Sequence, residues 1–184
     1  MTCIGTTDTF DPFAELETRL GRPLDREALT ARRRQRFEVL MGGVGPLPGV
    51  AEYVAEARRL GLKLGVASSS GREWVAGHLA RFGLLEHFHA VRTADDVARV
   101  KPEPDLFLAV LDALGVAPAR ALVLEDSPNG ILAARRAGIG RVVAVPNDLT
   151  RGLDLAGADL VLGALTDLPL AGLLGRLGAL GDDR

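Results

Sequence analysis

Three short stretches of the chain carry side chains that could act on a phosphoryl group. They are Ser68, Ser69 and Ser70; Lys101 in Val-Lys-Pro-Glu-Pro-Asp; and the adjoining acids Glu125 and Asp126 in Leu-Val-Leu-Glu-Asp-Ser-Pro-Asn-Gly. Hydroxyls and the open N–H groups of a helix start can hold an anion. A lysine can neutralise it, and paired carboxylates suit a hard cation such as magnesium. Together these are the parts needed to bind a phosphoryl group beside a metal ion. Each part has a plainer reading: Asp126 or Ser127 could simply cap the helix that follows, and the serines the helix after them. A single lysine before a helix is normally solvated.

The chemistry requires elements that bring these stretches to one edge. Leu122–Leu124 reads as a buried strand ending in the two acids, and a turn then opens a helix running to about Gly138. Residues 62–67 form a second apolar strand that delivers Ser68, followed by a helix with Trp74, Val75, His78, Leu79 and Phe82 on its apolar side and Gly83 as its stop. Val50, Tyr53, Val54, Ala57 and Leu60 line one helical face, ended by Gly61. His89–Thr93 reads as a strand and Pro104–Leu114 as a helix with Pro in its first turn and Gly115 after it, placing Lys101 just before a helix. Val142–Val145 and Leu160–Leu162 complete the strands, and the tail at 164–181 suits a short closing helix. Such alternation predicts an α/β fold in which a parallel sheet is covered on both faces, with ligands at the carboxyl edge of the strands.

The first part of the chain is organised differently. Residues 1–9 have no strand periodicity, Phe10–Leu20 suits a helix stopped by Gly21, and Asp25 opens a second helix through about Met41. That helix carries Arg32, Arg33, Arg34 and Arg36, read as a solvated face, with the alternative that one arginine reaches an anionic substrate. The Gly- and Pro-rich stretch at 42–48 is a hinge, dividing the chain into residues 1–45 and 46–184.

Composition narrows the functional class. A formal net charge of -2 and a pI of about 5.9 give no basic face for nucleic acid. One cysteine, Cys3, rules out an internal disulfide framework and fits a cytoplasmic setting. The apolar runs fall short of the roughly 18 residues a membrane helix needs, and the start has no signal-peptide pattern. His78, His87 and His89 have no Cys or acid at metal-ligand spacing and read as structural or surface residues, and Trp74 reads as core.

With Pro-Gly-Val at 48–50, Val-Ala-Ser-Ser-Ser, Lys-Pro-Glu-Pro-Asp-Leu-Phe and Leu-Glu-Asp-Ser-Pro-Asn-Gly in this order, the chain resembles the haloacid dehalogenase-like hydrolases, in particular their phosphatase and β-phosphoglucomutase branch. The resemblance implies a Rossmann-like core at 46–184 and part of a helical cap at 1–45, to which Gly-Thr-Thr at 5–7 also fits. It implies that Ser68 hydrogen-bonds the transferred phosphoryl group with help from the Ser69 backbone, while Lys101 neutralises the phosphoryl and orients the nucleophile. Asp126 would be the magnesium ligand, supported by Glu125 directly or through water. The implied activity is magnesium-dependent hydrolysis of small phosphorylated metabolites through an aspartyl-phosphate, by an enzyme monomeric when complete. A phosphosugar mutase is the alternative.

The departure from the family is equally specific. The family's nucleophile is the first Asp of an Asp-x-Asp motif after the first core strand, and this sequence has no such motif. Asp8 and Asp11 are the early candidates, but they are spaced Asp-x-x-Asp and follow no apolar run. The resemblance places the missing strand in the middle of the sheet, between those ending at Ser68 and Glu125, so two strand edges are expected to lack a partner. The expectation is that about 50–70 residues are missing upstream, judging from typical domain sizes, and that the chain as written is inactive. A non-catalytic remnant that binds phosphate or a partner is the rival from another class. A receiver-like or nucleotide-binding α/β domain fits less well, because a receiver places its acids early and no Gly-x-Gly-x-x-Gly follows a strand.

Overall fold

The computed structural model describes residues 11–178. Expectations placed on Cys3, Asp8 and residues 5–7, on the start of the first helix at Phe10 and on the end of the tail lie outside that range. The chain divides into two compact units, with the boundary between Pro46 and Leu47.

The smaller unit contains α1 (Pro12–Leu20) and α2 (Arg26–Met41), and neither helix buries a residue. Asp11 caps α1 by accepting from the N–H groups of Phe13 at 2.9 Å and Ala14 at 3.2 Å, and Asp25 caps α2 through Ala28 N–H at 2.9 Å. Arg26, at the start of α2, bonds both Asp11 and Glu17, tying that start to α1. The arginine run is solvated as expected, with Arg34 facing Glu38 one turn on.

The larger unit alternates helices and strands: α3 (Val50–Arg59), β1 (Gly65–Ala67), α4 (Arg72–Arg81), β2 (Ala90–Arg92), α5 (Asp105–Leu114), β3 (Leu122–Glu125), α6 (Pro128–Arg136), β4 (Arg141–Ala144), β5 (Leu160–Val161) and α7 (Leu170–Arg176). All strand pairs are parallel, and they form two sheets, β1-β2 and β3-β4-β5. Glu125 is in register with Ala144, and Ala67 with Arg92. Among the described residues no strand bonds to the outer edge of β1 or of β3.

The apolar pattern forms two cores on opposite sides of β4. Val142 and Ala144 join Phe107, Leu111, Ile131 and Ala134, while Val143 joins Tyr53, Ala57, Leu165, Leu170 and Leu173. Alternate residues of a strand point to opposite faces, and all three β4 residues are fully buried, as a sheet covered on both faces requires.

Three local expectations need correction. The strand expected at 62–67 begins only at Gly65, because Leu62 N–H returns to Ala57 O behind α3 and Leu64 N–H bonds the His89 ring at 3.0 Å. Pro104 caps α5 from outside instead of entering its first turn. Trp74 is not core: it is 44% exposed and stacks on His78 at a centroid distance of 4.1 Å, leaving Val75 as the one buried residue of α4.

Candidate active site

The acids sit where β3 passes into α6. Ser127, not Asp126, is the N-cap of α6: its hydroxyl accepts from Gly130 N–H at 3.1 Å. The capping role and the acidic role therefore belong to different residues, and Asp126 is released from the helix end. Its Oδ2 instead accepts from Asn147 Nδ2 at 2.7 Å. Glu125 turns the other way. Its carboxylate accepts from the Lys101 ammonium and lies near Asp126 N–H and the Ser127 hydroxyl, at 3.3 and 3.5 Å. It lies so close to α6 that a Cβ on residue 130 would fall 1.9 Å from its Oε2, so a larger residue there would have to displace the carboxylate.

Lys101 is not the solvated lysine that a single-residue reading suggests. It is buried, bonded to Glu125, and its ammonium lies 4.7 Å from the centre of the Phe107 ring. An ion pair this desolvated requires good geometry to be tolerated, which the strand end and the α6 N-terminus supply.

The serines lie at the end of β1. Ser68 N–H donates to Arg92 O at 2.9 Å, and the Ser68 hydroxyl accepts from Ser70 N–H at 3.2 Å. No serine caps α4; its N-cap is Gly71, which makes no side-chain cap bond. The N–H at the start of α4 is occupied as well, since Arg72 N–H donates to Asp95 Oδ2 at 2.7 Å. That part of the expected anion cradle is used internally.

The serine loop is clasped to the loop after β2. Ala94 N–H donates to Ser70 O at 3.1 Å, the Arg72 guanidinium pairs with Asp96, and Asp96 Oδ2 accepts from Thr93 N–H and its hydroxyl at 2.8 and 2.9 Å. Thr93 N–H is the main reason that the Asp96 carboxyl titrates below its usual range, with the Thr93 hydroxyl and Arg72 adding to it.

The structure thus joins Lys101 directly to Glu125, and Asp126 to a residue that charge and motif do not reveal. Asn147 is held from both sides: its N–H donates to the Thr150 hydroxyl at 3.0 Å and its Oδ1 accepts from Leu149 N–H at 2.8 Å. It stands just beyond β4, at the strand end where the signal was available. Ser68 makes no direct bond to these groups. What it shares with them is a core: Ala67, at the end of β1, packs into the same apolar cluster as Val123, Phe107 and Ala144. Asp11 is spent on capping α1 and on Arg26, so its carboxylate is not presented as a nucleophile.

Among the described residues no three metal-binding side chains converge. Glu125 and Asp126 provide two carboxylates. Magnesium is commonly held by one or two carboxylates with water and substrate phosphate completing its shell, so this donor set fits that ion.

A family model for haloacid dehalogenase-like hydrolases matches residues 4–145. The chain belongs to the haloacid dehalogenase-like hydrolases. It is 46% identical over 176 residues to the Bacillus subtilis (strain 168) protein named "Putative phosphatase YhcW", which covers 96% of this chain and 80% of that one. A crystal structure of CbbY from Rhodobacter sphaeroides with phosphate superposes with a TM-score of 0.72 at 38% identity, over 82% of this chain and 69% of CbbY. A mutant CbbY structure holding xylulose-(1,5)bisphosphate gives 0.71 at 37% identity, over 82% and 70%. The hydrolase fold and phosphatase branch expected from the motifs are therefore established.

Proposed function

We propose that this carboxyl edge is the site of a magnesium-dependent phosphatase for small phosphorylated metabolites. The buried Lys101–Glu125 pair beside Asp126 carries the reading, since it concentrates one cation and two acids where a parallel sheet ends. Ser68 would donate its hydroxyl to the phosphoryl group and the Ser69 backbone would help orient it. Lys101 would neutralise the transferring oxygens. Asp126 would hold magnesium, with Glu125 as a second ligand directly or through water; the ion supplies charge neutralisation for the phosphoryl oxygens.

The phosphatase is favoured over the mutase because the 46% identical relative carries a phosphatase name. The phosphosugar bound by CbbY supports a small phosphorylated metabolite as the substrate class. The family reaction runs through an aspartyl-phosphate, and the sequence contains no Asp-x-Asp to form it. The expected result for these 184 residues is therefore phosphate binding without turnover. Calorimetry with inorganic phosphate should show binding that weakens in Ser68→Ala, while p-nitrophenyl phosphate should not be hydrolysed. Turnover that disappears in Asp126→Ala would overturn the inactivity and confirm the site; phosphate binding unaffected by Ser68→Ala would overturn the assignment of Ser68.

A further inference from the structure

Lys101 and Glu125 are 7% and 9% exposed, and each is the other's charged partner. The two charges that the proposed reaction needs for different ligands are here spent on one another. An anion arriving alone finds the lysine already neutralised by Glu125. A cation arriving alone must draw Glu125 away from a buried ammonium. Breaking such a pair with one ligand leaves a buried charge uncompensated, which is strongly unfavourable. When both ligands arrive the pair can exchange partners, lysine to anion and glutamate to cation, and no buried charge is left unmatched.

Asp126 is not part of this exchange. Its structural partner is the neutral amide of Asn147, which a cation can share without stranding a charge. The two adjacent acids thus have different tasks: Asp126 is available to a cation from the start, and Glu125 is released by the anion.

Building on the assignment of Lys101 to phosphate and Asp126 to magnesium, we propose that the Lys101–Glu125 pair is a latch that makes the two ligands bind cooperatively. Coupling of this kind is reciprocal, so magnesium must strengthen phosphate binding by the same factor as phosphate strengthens magnesium binding.

The test is calorimetry on the full chain, titrating inorganic phosphate with and without saturating magnesium, and magnesium with and without phosphate. The latch predicts a gain of about 5-fold or more in each direction, within the range usual for coupled sites. Part of that gain comes from direct attraction between the two ions and persists in any variant. Glu125→Gln isolates the rest: it should bind phosphate more tightly than wild type when magnesium is absent and lose most of the gain when it is present. Lys101→Met should show the converse, tighter magnesium binding without phosphate. If wild type binds both ions with no mutual effect, or if Glu125→Gln retains the full gain, the latch is wrong while the site stands. If neither ion binds, the site assignment and the latch fall together.

Discussion

The two units of the chain are held by different forces. The larger has two apolar cores with β4 between them, and Leu173, Val142 and Val143 are completely buried. The smaller has no buried residue in either helix and leaves Leu16, Leu20, Val39 and Leu40 between 45% and 66% exposed. What ties α1 to the start of α2 is charge, with Arg26 shared between Asp11 and Glu17. Exposed ion pairs contribute little each and weaken with salt, whereas apolar burial persists across pH and ionic strength. The unit carrying the proposed chemistry is therefore expected to be rigid, and the helical pair to open first.

The larger unit depends on charge at one buried point, and the largest effect is expected there. Lys101→Met leaves the Glu125 carboxylate buried without its partner and should cost about 3–5 kcal/mol in urea unfolding. A cost near zero would mean that the pair is hydrated. Leu173→Ala removes a fully buried side chain from the core around Val143 and should cost about 2–5 kcal/mol. Neither substitution should change how fast trypsin cleaves at the arginines of α2 if the units differ as described.

Acid should separate the units. Asp11 is held below 3.8 chiefly by the Ala14 N–H, and Glu17 below 4.5 chiefly by Arg26. A carboxyl lowered by folding stabilises the fold above its unfolded value and loses that contribution as pH falls through its folded value. The helical pair should therefore unwind, by residue-resolved NMR, as pH drops below about 4, and faster in high salt. Asp96, held down by Thr93, and Asp159, held down by Arg135, confer the same sign of dependence on the larger unit, but its apolar cores should keep it folded there. The smallest effect is expected for Arg26→Ala: tryptic cleavage within α2 should quicken, with no change in the urea midpoint of the larger unit.

Much of this was legible in the sequence because the signals are local. Gly21, Gly83 and Gly115 follow helices where the pattern stops, and the strand ends point to Ser68 and to Glu125-Asp126. Contacts between distant segments were not legible. Lys101 and Glu125 are separated by 24 positions and Asp126 and Asn147 by 21, and neither pairing follows from spacing. Asn147 has no charge to mark it, yet the carboxyl-edge rule applied to β4 leads to it. Trp74 misled because a helical stripe of large side chains can stack on itself at the surface as well as enter a core.

The proposed site would place a divalent cation on Asp126 at the end of β3. Titrating the chain with Mn2+ and following backbone amide signals by NMR tests it directly. Broadening should centre on residues 125–127 and Asn147 and be abolished in Asp126→Ala. Broadening that is absent, or that survives Asp126→Ala at the same residues, would contradict it.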